Sequence, residues 1–283
     1  MRPMSNWGEV FKQTIKTLAD AGFAEAEAEA RVITAHVHGG DFSSLCLRFF
    51  DACGREEEVK RLAAERLSGK PLAYVLREKY FYGRPFYVDE RVLIPRYDTE
   101  SVADRALGAA RENGYKTGLD LCCGSGVLGV TLGAEGRFET VCFADSSGDA
   151  LSVARKNAAA LIPRQEKSFV QGDFLEKIGG RFDLVVCNPP YISAADYAEL
   201  EPQVRDYEPR SALLAARGGY AFYERAAREI PSVLNAGGAL VLEIGDTQAE
   251  RVRSLLKTAG FVKISCGCDL GGRPRWVCGF MGT

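Results

Sequence analysis

From about residue 95 onward the chain alternates short apolar runs with amphipathic segments, and this alternation restricts its fold more than any other feature. Runs at 118–122, 140–144, 168–171, 182–187, 239–244, 262–266 and 276–280 have the length and content of strands. Helical spacing occupies 99–111, 127–134, 148–161, 220–234 and 247–259. Apolar strands separated by helices predict an α/β fold, a doubly wound and mostly parallel seven-stranded sheet covered on both faces. The region before it reads differently. Trp7, Val10, Phe11, Ile15 and Leu18 recur at spacings of three and four, which makes a stripe on a helix that Ser5 caps. Further helices are expected over 24–38, 41–53 and 56–67, with Pro71 closing the region. Aromatic residues on both sides of Gly83 then predict a β-hairpin. The expected organisation is a small helical-bundle domain over 1–75, a hairpin linker over 76–92 and an α/β domain over 93–283.

Charge and cysteine usage exclude several classes. Lys and Arg number 36 against 38 Asp and Glu, a net charge of -2, so there is no basic excess of the kind that grips a nucleic-acid backbone. The acidic and basic residues of 55–61 read as solvated helix faces. The nine cysteines include no C-x-x-C pair, and His36 and His38 lie far from Cys266 and Cys268, so no metal site is expected. Cys142 and Cys187 stand inside apolar runs, where a reduced thiol packs as a small hydrophobe. The start lacks an apolar signal core, and no run of about 18 apolar residues occurs, which predicts a soluble cytoplasmic protein without a membrane partner.

Chemistry concentrates at the ends of four strands. In Asp120-Leu121-Cys122-Cys123-Gly124-Ser125-Gly126, the glycines let the backbone approach a ligand where the first strand hands over to a helix. Gly129 completes a G-x-G-x-x-G spacing, so on this motif alone a dinucleotide-dependent dehydrogenase stays open. Asp145, ending the second strand, can accept hydrogen bonds from two ribose hydroxyls; it can equally cap the helix after Ser147. After the third strand, Asp173 could hold an adenine amino group and Phe174 could cover its face. The fourth strand ends in Asn188-Pro189-Pro190-Tyr191, where two prolines remove two backbone donors and stiffen the carbonyls. An amide, a rigid carbonyl and an aromatic ring then converge on one point, more than a turn requires.

Together these motifs resemble the class I S-adenosylmethionine-dependent methyltransferases that modify planar amino or amide nitrogens. More narrowly, the chain resembles the HemK-type glutamine-N5 methyltransferases of peptide-chain release factors over nearly its whole length, through 71–76, 81–83, 92–100, 207–210, 242–245 and 269–273. The resemblance implies S-adenosylmethionine as cofactor, leaving as S-adenosylhomocysteine, held by Asp120, Cys122, Cys123, Gly124, Ser125, Gly126, Asp145, Asp173, Phe174 and Asn188. It implies Asn188, Pro189 and Tyr191 as catalytic residues, with Pro190 completing the substrate contacts. The Asn188 side-chain carbonyl and the Pro189 backbone carbonyl would accept the two N–H groups of the target amide, and Tyr191 would pack on it. Asp120 and Glu100 would support the glycine loop and the methionine end. The implied partner is a release factor docked by the helical domain, with no direct nucleic-acid contact, and a monomer suffices for the chemistry.

Two positions depart from the family, which usually has glycine where this chain has Cys122 and commonly where it has Arg77. A side chain at Cys122 leads us to expect a turn that avoids positive φ there. A nucleic-acid N6-adenine or guanine methyltransferase shares the logic of the Asn-Pro-Pro-Tyr loop, but would bring a basic face or a target-recognition domain. A cofactor-binding scaffold without catalysis has no need of that loop.

Overall fold

In the computed structural model, which describes residues 5–282, the amino-terminal spacing forms five helices: α1 (Trp7–Asp20), α2 (Ala26–His38), α3 (Phe42–Cys46), α4 (Glu56–Leu67) and α5 (Leu72–Leu76). Asn6, not Ser5, caps α1. Its side chain accepts from the Glu9 N–H at 2.9 Å while Glu9 accepts from the Asn6 N–H at 3.1 Å, so two otherwise orphaned donors are satisfied. The expected helix over 41–53 stops at Cys46. The carbonyls of Phe49 and Asp51 instead accept from the N–H groups of Gly8 and Trp7, the first turn of α1, and helical backbone beyond Cys46 would withdraw them. Pro71 starts α5 rather than ending the region. Leu18, Ile33, Val37 and Leu45 are fully buried in the core of this unit.

The chain divides by internal packing into one unit up to Arg77 together with Pro202–Tyr207, and a second made of Glu78–Glu201 and the chain from Glu208 onward. The hairpin of β1 (Glu78–Phe81) and β2 (Arg84–Tyr87) therefore counts with the second unit, where the sequence reading made 76–92 a linker. Tyr82 and Gly83 both have positive φ, as a two-residue hairpin turn needs. Phe81 and Phe86 are buried in the same core as α6 (Glu100–Asn113).

After α6 come β3 (Thr117–Leu121), α7 (Val127–Glu135), β4 (Thr140–Asp145), α8 (Gly148–Leu161), β5 (Glu166–Gln171), β6 (Phe182–Cys187) and the short helices α9 (Ala194–Ala198) and α10 (Pro202–Arg205). Then follow α11 (Ala221–Glu229), β7 (Leu234–Glu243), α12 (Ala249–Thr258), β8 (Val262–Cys268) and β9 (Pro274–Phe280). The helix expected over 220–234 ends early because Pro231 cannot continue the ladder; a 3₁₀ turn over Ile230–Val233 leads into β7. Among the described residues no helix is long and apolar enough to cross a membrane.

The sheet is the seven-stranded, doubly wound one expected, in the order β5-β4-β3-β6-β7-β9-β8, with β3 to β7 parallel and β9 antiparallel to both its neighbours. Successive residues of β6 alternate between two cores: Leu184 and Val186 face one, Val185 and Cys187 the other. Each such fully buried side chain contributes about 1.5–3 kcal/mol. Strand order reverses between β3 and β6. At that reversal the helices leave in opposite directions, and a crevice opens at the carboxyl ends of the strands. Register pairs Leu121 with Cys187, so Cys122 and Asn188 leave the sheet on neighbouring strands at this crevice.

Gly129, the third glycine of the spacing, serves packing. A Cβ there would lie 2.3 Å from Cε1 of Phe143 on β4, so its absence lets α7 sit close to the sheet. Gly129→Ala is expected to lower the unfolding free energy by about 1–3 kcal/mol, although helix propensity alone favours alanine by about 1 kcal/mol; urea denaturation of the two proteins measures the sign.

Candidate active site

The loops leaving β3, β4, β5 and β6, the segment from Arg91 to Thr99 and the segment from Pro209 to Ala212 line a cleft that is open to solvent. Asp120, Cys122, Cys123, Gly124, Ser125, Asp145, Asp173, Phe174, Asn188 and Pro190 all line it. Of the expected site residues, Gly126, Pro189 and Tyr191 do not.

The loop after β3 closes on itself. The Cys123 N–H donates to the Ala144 carbonyl at 3.0 Å, the Gly126 N–H to the Cys123 carbonyl at 2.7 Å, and the Gly124 N–H to Asp145 Oδ2 at 2.9 Å. Cys122, Gly124 and Gly126 are left-handed, with φ of 58°, 52° and 81°. The expectation that Cys122 avoids positive φ is therefore corrected. The turn is left-handed, the geometry a glycine would take without strain, and Cys122 accepts the strain because the flanking hydrogen bonds fix the backbone. Arg77, the other departure from glycine, is left-handed as well, at φ 55°. A Cβ on Gly124 would meet nothing within 4 Å, so the loop offers free space there, whereas one on Gly126 would press on Ala154 at 3.1 Å. From α8, Asn157 Nδ2 donates to the Ser125 carbonyl at 2.9 Å while its Oδ1 accepts from the Tyr87 N–H, which ties the loop to the hairpin. Behind the loop, buried Asp120 accepts from the Gly129 N–H at 2.7 Å. Burial pushes its carboxyl well above the usual carboxylate range, and the charge of Asp145 adds to this.

Asp145 accepts twice from backbone, from Gly124 at Oδ2 and from Ser147 at Oδ1, both at 2.9 Å. Burial raises its carboxyl and those donors oppose the rise. Ser147, not Asp145, caps α8, accepting from the Ala150 N–H at 3.1 Å, so Asp145 keeps lone pairs for a ligand. Its position decides between ligands. A pyrophosphate-binding loop presents free N–H groups, and here those of Gly124 and Gly126 are already taken while a carboxylate stands against the first. The arrangement suits ribose hydroxyls and a cationic group and disfavours a dinucleotide phosphate. Asp173 is exposed and bonded at one oxygen, Oδ1, to Arg225 Nη1 at 2.6 Å, while Phe174 is buried at φ 58° and tilted against Phe222. Oδ2 of Asp173 remains for a second donor.

The loop after β6 is fixed from behind. Ile192 pairs with Leu213 and Ala215, Gln248 Nε2 donates to the Tyr191 carbonyl at 3.1 Å, and the Tyr191 hydroxyl donates to Glu243 Oε1 at 3.3 Å. A Cβ on Gly219 would lie 2.3 Å from the Tyr191 carbonyl oxygen, so only glycine fits beneath the loop. Burial and the charge of Glu243 push the Tyr191 phenol up, so it stays a donor. Among the described residues, the Asn188 side-chain amide and the Pro189 carbonyl pair with nothing else in the chain.

Glu100, expected near the glycine loop, lies elsewhere: its Oε1 accepts from the Tyr82 N–H at 2.7 Å and holds the hairpin turn. Sequence reasoning also missed a clamp on the cleft wall. Buried Glu208 accepts from the Ile94 N–H at 3.0 Å and from Arg96 Nη2 at 2.5 Å, joining the two wall segments. Its 114-residue separation from Ile94 left no local signal. Asp89 holds Arg91, another wall residue, through paired bonds of 2.9 and 2.6 Å, and that guanidinium lowers the Asp89 carboxyl to about 2. Among the described residues no cluster of His, Cys, Asp or Glu could hold a metal ion.

Comparison with known proteins matches two family models, the PrmC N-terminal domain over residues 9–76 and the methyltransferase small domain over 106–201. The release factor glutamine methyltransferase of Chlorobaculum tepidum is 40% identical over 260 residues, 88% of each chain. That of Bacillus subtilis is 35% identical over 280 residues, 95% of this chain and 96% of its own. Among solved structures, a ribosomal protein L11 methylase from Lactobacillus delbrueckii subsp. bulgaricus is 20% identical with a TM-score of 0.51, over 69% of this chain and 84% of that one. The hMettl16 catalytic domain in complex with MAT2A 3'UTR hairpin 6 is 15% identical with a TM-score of 0.59, over 78% and 82%. At these identities the two structures speak for the fold alone.

The left-handed turn makes a direct prediction. Cys122→Val places a β-branched side chain at positive φ and is expected to cost about 1–2 kcal/mol, whereas Cys122→Gly should match or exceed the parent; thermal unfolding of the three proteins ranks them.

Proposed function

The chain belongs to the release factor glutamine methyltransferases, and on that premise we propose that it transfers a methyl group from S-adenosylmethionine to the side-chain amide nitrogen of the glutamine in the Gly-Gly-Gln loop of a peptide-chain release factor. The observation that carries this reading is the pair of unpartnered acceptors at Asn188 and Pro189, on a loop whose Asn188 and Pro190 line the same cleft as the glycine loop.

An amide nitrogen is a poor nucleophile because its lone pair is delocalised into the carbonyl. The Asn188 side-chain carbonyl and the Pro189 carbonyl accept its two N–H groups and favour the positive charge that develops on nitrogen more than they favour the neutral amide. Pro189 and Pro190 hold these acceptors without reorganisation, and Tyr191 packs against the target. The methylated nitrogen must lose one proton, which is strongly acidic once the charge has developed and passes to water, so no side chain of unusual basicity is required. S-adenosylmethionine, when bound, supplies an electrophilic sulfonium methyl. Asp145 would hold its ribose, the loop from Cys122 to Gly126, with the free space at Gly124, would take its middle, and Asp173 Oδ2 with Phe174 would hold the adenine end. Asp120 acts from behind by fixing Gly129. The helical unit is the surface for the protein substrate, and the absence of a basic excess favours such a substrate over nucleic acid.

Radiolabelled methyl transfer to a release factor with its Gly-Gly-Gln glutamine intact or replaced, beside DNA and ribosomal particles, tests the reading; label on the intact factor alone is expected. Asn188→Ala should lower kcat by about 10²- to 10³-fold with cofactor affinity little changed, and undiminished transfer would remove Asn188 from its role. Asp145→Ala should instead weaken cofactor binding by at least about tenfold, as read by calorimetry, and equal affinity would end the ribose assignment.

A further inference from the structure

We propose that Glu243 is a positioning residue for methyl transfer, which holds the Tyr191 ring in place through its phenolic hydroxyl. The inference rests on the reading of the Asn188–Tyr191 loop given above. Glu243 is the last residue of β7, beside the strand that carries this loop, and register pairs its neighbour Leu242 with Cys187. It is 2% exposed, its Oε1 accepts from the Tyr191 hydroxyl at 3.3 Å, and its Oε2 has no hydrogen-bond partner. The Thr99 hydroxyl faces it without closing a bond of ordinary geometry.

A buried carboxyl with an idle oxygen costs stability, and a leucine would fill the position without that cost. What the carboxyl contributes is an anchor. Gln248 holds the Tyr191 backbone carbonyl and Glu243 holds its hydroxyl, so the residue is tied at its main chain and at the tip of its ring. Gln248 is itself oriented by the Gly245 N–H, which donates to its Oε1, and by the Tyr223 hydroxyl, whose single proton is shared between that oxygen and the Glu243 carbonyl.

The groups around Glu243 come from five parts of the fold. Tyr191 stands on the loop after β6, and the Tyr223 hydroxyl of α11 donates to the Glu243 carbonyl at 3.1 Å. Arg275 of β9 is pinned by Asp98, from the turn before α6, at 3.2 Å and by Asp269, from the β8–β9 connection, at 3.1 Å. Burial raises the Glu243 carboxyl to about 7, with the nearby Thr99 hydroxyl, the Arg275 charge and the Tyr191 hydrogen bond opposing the rise and Asp98 adding to it. Above that pH the carboxylate is the stronger acceptor for a phenol that remains protonated.

Steady-state kinetics on the full-length protein with an intact release factor tests the proposal. Glu243→Leu is expected to lower kcat about tenfold, the value of one hydrogen bond to a charged group, with cofactor affinity within about twofold. Glu243→Gln keeps an acceptor oxygen and should recover kcat to within about threefold, while lacking the rise in kcat through pH 7 that is expected of the parent. Tyr191→Phe should cost a similar factor alone and nothing further in the Glu243→Leu background. Losses that multiply, or a Glu243→Gln protein that keeps the parental pH profile, overturn the proposal; the second comparison decides even if Glu243→Leu does not fold. A parent protein that fails to methylate the release factor overturns the functional reading instead, and this inference with it.

Discussion

The parallel pairing of β3 with β6 is the constraint on which the rest of the site depends. Leu121 lies opposite Cys187, so the glycine loop and the Asn188 loop leave the sheet side by side where strand order reverses. Side chains alternate faces along a strand. A slip of one residue in β6 would exchange its two buried sets, Leu184 and Val186 against Val185 and Cys187, and would carry Asn188 away from the cleft. The apolar content of β6 therefore does two things at once, filling both cores and fixing the register at which an amide side chain meets the glycine loop.

Around that junction the chain tolerates local costs because neighbouring bonds over-determine the geometry. Cys122 and Phe174 hold left-handed backbone at the ends of β3 and β5, and Asp120 is buried behind the first of these turns. Asp120 nevertheless bonds the Gly129 N–H, the position where a missing Cβ lets α7 lie against Phe143. Strain, burial and close packing are thus joined in one structure, which keeps the cleft's floor stiff while its rim stays open to solvent.

Much of this was legible in the sequence where the determining interactions are local. The apolar runs located all seven strands of the large sheet, and the bounds of α4 and α8 follow from periodicity alone. The strand-end motifs likewise converge on one cleft. What was not legible depends on partners distant in the chain. α3 ends where Phe49 and Asp51 turn to serve α1, Glu100 serves a hairpin eighteen residues back, and Glu208 reaches Ile94 across 114 residues. The φ of Cys122 escaped for a different reason, since residue type argued for one backbone region and the hydrogen bonds around the loop imposed another.

Tyr207 and Glu208 are consecutive, yet they serve different units. The Tyr207 hydroxyl donates to the Ser68 carbonyl at 2.6 Å within the helical unit, whereas Glu208 clamps Ile94 and Arg96 in the sheet unit. The chain passes between the units after Arg77, again after Glu201 and once more after Tyr207. The helical unit is consequently not a cassette. A recombinant graft cut at one peptide bond after residue 77 would leave six of its residues, Pro202–Tyr207, in the other parent, so chimaeras that exchange the helical unit between relatives need two segments to move together.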